Sequence, residues 1–169
     1  MSEFKTITPE RFIGNPFTML GTDWMLVCAQ KPDGRANAMT AAWGGMGVMW
    51  SMNVAYIVIR PQRFTKEFVD AADTFSLSFF DGQKEMLGYM GSVSGRDEDK
   101  IKKSGLTVLR EGNTPYFAEA EMVMLCKKLY AQELEPECFV LKEYDSKIYP
   151  DHDYHTMYIA QVEKILVKE

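Results

Sequence analysis

The chain has 169 residues, 46% of them hydrophobic and 25% charged, and its formal net charge at pH 7 is −5. These values are ordinary for a globular protein with a sizeable core, and they exclude the disordered and fibrous classes. The acidic balance argues against a nucleic-acid-binding protein, whose binding face is basic. We therefore expect a single domain over residues 1–169 with no nucleic-acid partner.

The cysteines indicate a reduced protein without a structural metal site. Cys28, Cys126 and Cys138 show no C-x-x-C or C-x-x-H spacing, which excludes the common zinc patterns. Cys28 and Cys126 stand in apolar, strand-like runs, so we predict that they are small core residues. The first residues carry no charged-then-apolar leader, and we expect a cytoplasmic location.

The first half of the chain predicts three strands. The run from Trp24 to Gln30 is apolar, and the turn signal at Lys31 to Gly34 predicts a hairpin to the next strand. Two further strands are predicted over Ala38 to Trp43 and Val54 to Ile59, with Gly44-Gly45 as the bend between them.

An uncharged stretch of the length of a membrane span lies between Asn37 and Ile59. Its glycines and polar residues interrupt the apolar character too often for a helix that is alone in lipid. A buried strand pair explains the lack of charge, and we expect no membrane association.

The residues after Ile59 are the first indication of function. Pro61 suits the first turn of a helix over about 62–72, and this turn carries Arg60, Arg63 and Thr65. Free amides at a helix start, the helix dipole and two guanidinium groups together can bind a phosphate or a carboxylate. A solvated surface turn remains the alternative interpretation.

The middle of the chain alternates strand and helix signals. The segment from Thr74 to Phe79 has the two-residue period of a half-buried strand, whose core face is Phe75, Leu77 and Phe79. Short helices are predicted over Asp81 to Tyr89 and Asp97 to Lys103, the latter ending at Gly105. Between them, the small residues from Gly91 to Gly95 form a loop that a ligand can approach closely.

The last third predicts two long strands. A short strand over Leu106 to Leu109 and a loop over Glu111 to Pro115 precede a strand from Ala118 to Leu134, whose drifting pattern indicates a bulge. The final strand runs from Thr156 to Val167. Without regular strand–helix alternation, the pattern favours an antiparallel barrel or sandwich with inserted helices, and it does not decide between the two.

Common catalytic signatures are missing. The chain has no P-loop, no G-x-G-x-x-G after a strand, no G-x-S-x-G and no H-E-x-x-H, so any nicotinamide coenzyme is not held in a Rossmann fold. The run from Asp151 to His155 has the composition of a divalent-ion site, but a solvated loop is the preferred interpretation. We predict no metal.

Four blocks in order resemble the flavin reductase-like family of FMN-binding split barrels, close to flavoredoxin. They are Asn37 to Gly45, Arg60 to Thr65, Ser92 to Lys100 and Asp153 to Ile159. The resemblance implies a mainly β, antiparallel split barrel of Greek-key topology with a few short α-helices inserted. It also implies a homodimer with flavin sites near the interface.

The resemblance further implies non-covalent FMN binding by these blocks. The residues that match the family's flavin-binding segments are Asn37, Ala38, Met39, Thr40, Ala41, Ala42, Trp43, Arg60, Arg63, Phe64, Thr65, Ser92, Ser94, Arg96 and Lys100. For Ser94 and Arg96 the alternative is structural, with Ser94 or Asp97 capping the third helix and Arg96 in solvent. Trp43 is predicted at the pocket wall and Trp50 in the core.

The activity implied by the resemblance is hydride transfer from NADH or NADPH to the bound flavin. The cofactors carry this chemistry, so no catalytic triad is expected. His155 matches the histidine that lies near the nicotinamide coenzyme in such reductases. A flavoredoxin-type electron carrier that acts with a redox protein partner and does not use NAD(P)H is the second interpretation, and a flavin-free binding module is the third.

Overall fold

Antiparallel strands dominate the computed structural model, which describes residues 3–169. The strands are β1 Phe4–Ile7, β2 Met25–Gln30, β3 Ala36–Ala41, β4 Gly44–Met49, β5 Met52–Ile59, β6 Thr74–Phe79, β7 Val108–Glu111, β8 Thr114–Phe117, β9 Met122–Glu133 and β10 Thr156–Lys168. The α-helices are α1 Pro16–Thr18, α2 Phe64–Ala71, α3 Lys84–Ser92, α4 Lys100–Ser104 and α5 Glu143–Ile148. This confirms the predicted mainly β architecture with a few short helices.

The longest strand, β10, organises the main sheet. The order of strands is β3-β2-β6-β9-β10-β5-β4, and β7 and β8 form a separate hairpin. Strand β10 pairs with β9 along most of its length, while its other edge pairs first with β5 over Thr156–Gln161 and then with β1 over Ile165–Lys168. Shifts in register between β9 and β10 confirm the predicted bulge.

The middle of the sheet is buried on both faces, whereas strand β4 and the end of β9 are partly exposed. Strand β2 places Met25, Val27 and Ala29 in one hydrophobic core and Leu26 and Cys28 in a second core. A strand that is covered on both sides reads as a continuous apolar run, as this one does. The predicted core face of β6 is confirmed, because Phe75, Leu77 and Phe79 all lie in the first core.

The cysteines are distributed over both cores and the surface. Cys28 is buried in the second core and Cys126 in the first, as predicted, and burial raises the pKa of both thiols. Cys138 is exposed, and all three thiols are free.

The bend predicted at Gly44-Gly45 is wrong. These glycines begin strand β4, and the chain turns at Trp50 and Ser51, which both have positive φ angles of 53° and 59°. A side chain at Gly44 would meet the carbonyl oxygen of Tyr56 on the paired strand, so close backbone approach explains the glycine. Trp50 is 53% exposed at this turn, and its predicted core position is also wrong.

Several other predicted boundaries shift. Helix α3, predicted to end at Tyr89, runs to Ser92. Helix α4, predicted from Asp97, begins only at Lys100, and the Asp99 side chain is its N-cap in place of Ser94 or Asp97. Gly105 ends that helix with φ of 76°, as predicted. The loop predicted over Glu111 to Pro115 is the tight turn and second strand of a hairpin.

Strand β1 and helix α5 are among the elements that were not predicted. Strand β1 has only four residues and owes its place to pairing with the end of β10. Helix α5 lies between the two long predicted strands, where no element was predicted. No helix among residues 3–169 combines the length and the apolar character needed to cross a bilayer.

Gly44→Ala should lower the free energy of unfolding by about 1–3 kcal/mol, because the added methyl group would push β4 away from β5. Equilibrium urea unfolding measures the change. Gly47→Ala is the matched control in the same strand: nothing lies within 4 Å of its added carbon, so its unfolding midpoint should stay unchanged or rise. Equal destabilisation by both changes would contradict the explanation.

Candidate functional site

A cavity of about 520 Å³, termed the main cavity because most of the residues predicted for the site line it, lies between the end of β3, the end of β5, helix α3 and the start of β10. Its lining is largely apolar, with a few polar groups, which is typical of small-molecule sites. The lining residues are Trp24, Met39, Thr40, Ala41, Ala42, Trp43, Val58, Arg60, Arg63, Leu87, Gly88, Gly91, Ser92 and His155.

A smaller basic pocket, of about 170 Å³, adjoins the main cavity. It is lined by Met39, Gln62, Arg63, Phe64, Thr65, Ser92, Val93, Ser94, Gly95 and Lys100. Met39, Arg63 and Ser92 line both spaces, so the two are neighbours at these side chains. Together they can receive an elongated molecule with one large apolar end and one small polar end.

The strand-to-helix connection after β5 shapes the basic pocket. Arg63 occupies the N-cap position of α2 in extended conformation, and no side chain caps the first turn. Thr65, Phe68 and Val69 are buried and anchor the helix on the barrel. Phe64 and Thr65 of its first turn line the pocket, so the positive end of the helix dipole lies at this space.

Two basic side chains meet in this pocket without a carboxylate. Lys100 is buried and donates to the carbonyl oxygens of Met90 at 2.8 Å and Val93 at 2.9 Å, which leaves one of its three N–H groups free. Burial, and then the nearby Arg63, lower its pKa to about 8. Within residues 3–169 the Arg63 side chain has no hydrogen-bond or ion-pair partner, and burial lowers its pKa as well. Such a pair favours a bound anion.

Neighbouring polar residues fix the shape of the pocket. The Asn37 amide donates to the Thr65 hydroxyl at 2.8 Å, which ties β3 to α2. A side chain at Gly95 would collide with that amide, so the glycine allows the 92–95 segment to approach. The Ser94 hydroxyl accepts from the amide of Arg96 at 3.2 Å.

The other two predicted arginines already have protein partners. Arg60 pairs with Asp153, donates to the Ile148 carbonyl at 3.1 Å and still lines the main cavity. Arg96 pairs with Glu67 at 2.6 Å, lies over the Phe64 ring and lines neither the main cavity nor the basic pocket.

Some residues of the predicted segment Asn37 to Trp43 line the main cavity, and others support it from behind. Met39 to Trp43 line the main cavity, whereas Asn37 acts through Thr65 and Ala38 is buried in the second core. The Thr40 hydroxyl donates to the Leu87 carbonyl at 2.5 Å and fixes the end of β3 against α3.

His155 forms one wall of the main cavity. Its ring packs against Trp43, with the ring centroids 5.1 Å apart, and its Nδ1 lies 2.8 Å from the Tyr149 hydroxyl. Burial, and then Arg60, lower its pKa to about 4, so the ring is neutral at physiological pH. The solvated loop predicted over 151–155 is wrong for Asp153, Tyr154 and His155, because Asp153 bonds to Arg60 and Gln62 and the other two are buried.

Residues 18–169 match the sequence profile of the flavin reductase like domain. The chain belongs to this family. A comparison with curated protein sequences finds no match.

Solved structures confirm the split β-barrel predicted for this flavin reductase like chain. An FMN-binding domain of a flavin reductase-like enzyme from Shewanella baltica OS155 is 17% identical, with a TM-score of 0.68 over 98% of this chain and 78% of that one. Flavoredoxin of Desulfovibrio vulgaris (Miyazaki F) is 24% identical, with a TM-score of 0.68 over 88% and 70%.

An enzyme of known donor specificity shares this barrel. The NADH:FAD oxidoreductase of Streptomyces globisporus C-1027, solved with NAD and FAD fragments, is 17% identical. Its TM-score is 0.64 over 88% of this chain and 78% of that chain. At these identities the structures establish the fold of the flavin reductase like chain and nothing finer.

Sequence reasoning missed part of the cavity wall of this flavin reductase like domain. Val58, Leu87 and Gly88 lie on elements that were predicted, but apolar residues of a strand or helix give no signal that they face a cavity. Trp24 has φ of 69°, and the Lys84 ammonium lies 3.7 Å from the centre of its ring. Neither feature is readable from a single sequence. No cluster of three His, Cys, Asp or Glu side chains within residues 3–169 could hold a metal ion.

Sulfate should raise the thermal midpoint of ligand-stripped protein at pH 7 relative to chloride of equal ionic strength, because the divalent anion neutralises Arg63 and Lys100. The effect should shrink toward pH 9.5. Lys100, with a pKa of about 8 instead of 10.5, is mostly charged at pH 7 and neutral at pH 9.5, and the neutral form binds the anion more weakly. Differential scanning fluorimetry measures both effects.

Arg63→Gln should remove most of this stabilisation, while the matched control Lys102→Gln, which removes one charge from the exposed face of α4, should retain it. If Arg63→Gln responds to sulfate like the wild type, the anion binds elsewhere.

Proposed function

We propose that this chain binds FMN non-covalently and reduces it with NADH or NADPH. The observation that carries the proposal is that a largely apolar cavity and a small basic pocket lie side by side and share Arg63 in their linings. FMN has the same division into a large ring system and a terminal phosphate. The site residues named from the sequence remain proposals, and their placement supports most of them.

The basic pocket suits the phosphate. Arg63 and the third N–H group of Lys100 supply charge-assisted donors, and the uncapped first turn of α2 supplies amides. Ser92, Ser94 and Thr65 add hydroxyl groups around the same space. Arg60 and Arg96 are assigned supporting roles, since their guanidinium groups are already paired with Asp153 and Glu67.

The main cavity suits the isoalloxazine ring. Ala41 and Ala42 leave room along the end of β3, where backbone polar groups can meet the polar edge of the ring. Gly91 keeps α3 close to the Thr40 side chain, since an added carbon would lie 3.1 Å from it. Trp24 and Trp43 supply aromatic surface on the wall.

Bound FMN would supply a hydride acceptor, and no protein acid or base is needed for that transfer. The chain's own residues orient the reactants and exclude water. His155 stands at the cavity wall as a neutral hydrogen-bonding group that contacts the coenzyme. Since Trp43 is 51% exposed, one side of the cavity is open for a second molecule.

Purified protein should be yellow, and its flavin absorbance should bleach when NADH or NADPH is added under anaerobic conditions. Stopped-flow absorbance measures the rate. Arg63→Gln should weaken FMN binding roughly 10- to 100-fold through the loss of a charge-assisted contact. Lys102→Gln serves again as the matched control and should bind FMN like the wild type.

Two results would redirect the proposal. A yellow protein that stays oxidised with both coenzymes would support the flavoredoxin-type carrier, which exchanges electrons with a redox protein partner. A colourless protein that does not bind added FMN would contradict the cofactor assignment.

We also propose that the chain forms a homodimer through the end of the β4–β5 hairpin. Tyr56 on β5 and Tyr130 on β9 are exposed on the same face of the sheet, each opposite Ile159 of β10. Trp50, exposed in the turn between β4 and β5, has its ring 6.4 Å from that of Tyr130. An exposed apolar patch of this kind marks an association surface, and a two-fold axis covers it with its own copy.

Tyr130→Glu should shift the protein from dimer to monomer in sedimentation velocity at micromolar concentration, because it places a charge in this apolar patch. Val140→Glu, at a residue that is 94% exposed on a different segment, is the control and should leave the dimer intact. Wild-type protein that sediments as a monomer would contradict the proposed interface.

A further inference from the structure

We propose that Tyr149 is a positioning residue that holds His155 as the neutral tautomer with its hydrogen on Nε2. In this form the ring presents a hydrogen-bond donor to the main cavity. The donor suits a carbonyl or carboxamide oxygen on the molecule that enters beside the flavin. This last assignment rests on the proposed function, whereas the tautomer rests on geometry alone.

The direction of the Tyr149–His155 hydrogen bond decides the tautomer. Tyr149 is buried, and within residues 3–169 its hydroxyl has His155 Nδ1, at 2.8 Å, as its hydrogen-bond partner. A buried hydroxyl hydrogen without an acceptor is costly, so the hydroxyl donates and Nδ1 accepts. A neutral imidazole that accepts at Nδ1 carries its hydrogen on Nε2.

The other ring nitrogen faces the cavity. His155 lines the main cavity, and its Nε2 has no protein partner within the described residues. Among the described residues, the side-chain polar atoms that are buried without a hydrogen-bond partner are Ser78 Oγ and Asp153 Oδ1. His155 Nε2 also has no hydrogen-bond partner among those residues but is not one of these buried atoms. Nε2 is therefore accessible, and the space open to it is the cavity.

The surroundings of the ring keep it neutral. The charged groups that face it are Arg60 and Asp153, which are paired with each other, and Tyr149 lies beside them. On the opposite side the ring packs on Trp43. Burial is the main reason that the pKa of His155 is low, and the charge of Arg60 lowers it further by more than Asp153 raises it. His155 therefore offers a hydrogen bond and does not deliver a proton at neutral pH.

Nitrogen-15 NMR of the two histidine rings in the full-length protein, recorded before FMN is added, tests the tautomer. His152→Gln assigns the remaining ring to His155. In the wild type at pH 7 we expect one neutral tautomer with the hydrogen on Nε2. An imidazolium ring, or a hydrogen on Nδ1, would overturn the proposal even if no variant folds.

Tyr149→Phe should convert His155 to a mixture of both neutral tautomers. It should raise the KM for the nicotinamide coenzyme about three- to tenfold through the lost hydrogen bond, with FMN affinity unchanged. Tyr154→Phe is the matched control, because it removes a hydroxyl from the adjacent ring, which bonds to Asp145 and His152 and not to His155. An unchanged tautomer in Tyr149→Phe would overturn the positioning role.

The two measurements separate this inference from the proposed function. A protein that fails to bind FMN but has the Nε2–H tautomer refutes the flavin assignment alone. A protein that binds FMN and is reduced by NADH, but has the other tautomer, refutes the role of Tyr149 alone.

Discussion

The candidate site depends on Arg63 and Lys100, two cations that the fold brings together without a carboxylate among the described residues. Two like charges in a half-dry pocket repel each other, and each also loses hydration. The fold offsets this cost by anchoring both residues. Arg63 stands at the start of a packed helix, and Lys100 donates to two carbonyl oxygens. The arrangement becomes favourable when an anion enters the pocket.

The remaining basic and aromatic groups organise the space around this pair. Arg60 is held by Asp153 and lies over Tyr149, which in turn holds His155. The chain of contacts links the end of β5 to the start of β10, which are paired strands. The Arg60–Asp153 ion pair therefore supports Tyr149, which holds the neutral His155 ring at the cavity wall. The site thus has an uncharged hydrogen-bond donor at one end and the basic pocket at the other.

The sequence alone was sufficient for the parts of the fold that local chemistry decides. The apolar run of β2, the alternation of β6 and the helical spacing after Ile59 all predicted real elements, and the last of these delivered Arg63 to the site. That helix begins at Phe64 and not at 62, so Pro61 lies in the turn before it and Arg63 at its N-cap. The bend predicted at Gly44 was wrong because the sequence does not distinguish a glycine that permits close strand contact from one that permits a bend. The pairing of Arg60 with Asp153, 93 positions away, is tertiary and leaves no local signal.

The buried thiols make the two cores separately observable. Cys126 belongs to the core inside the barrel and Cys28 to the layer beneath α3 and α4, while Cys138 is open to solvent. An alkylating reagent consumes the exposed thiol first and reaches each buried one only when its own layer opens. Each core thus contains one thiol whose alkylation reports the local opening of that core. The exposed Cys138 thiol calibrates the reactivity of the reagent in the same experiment.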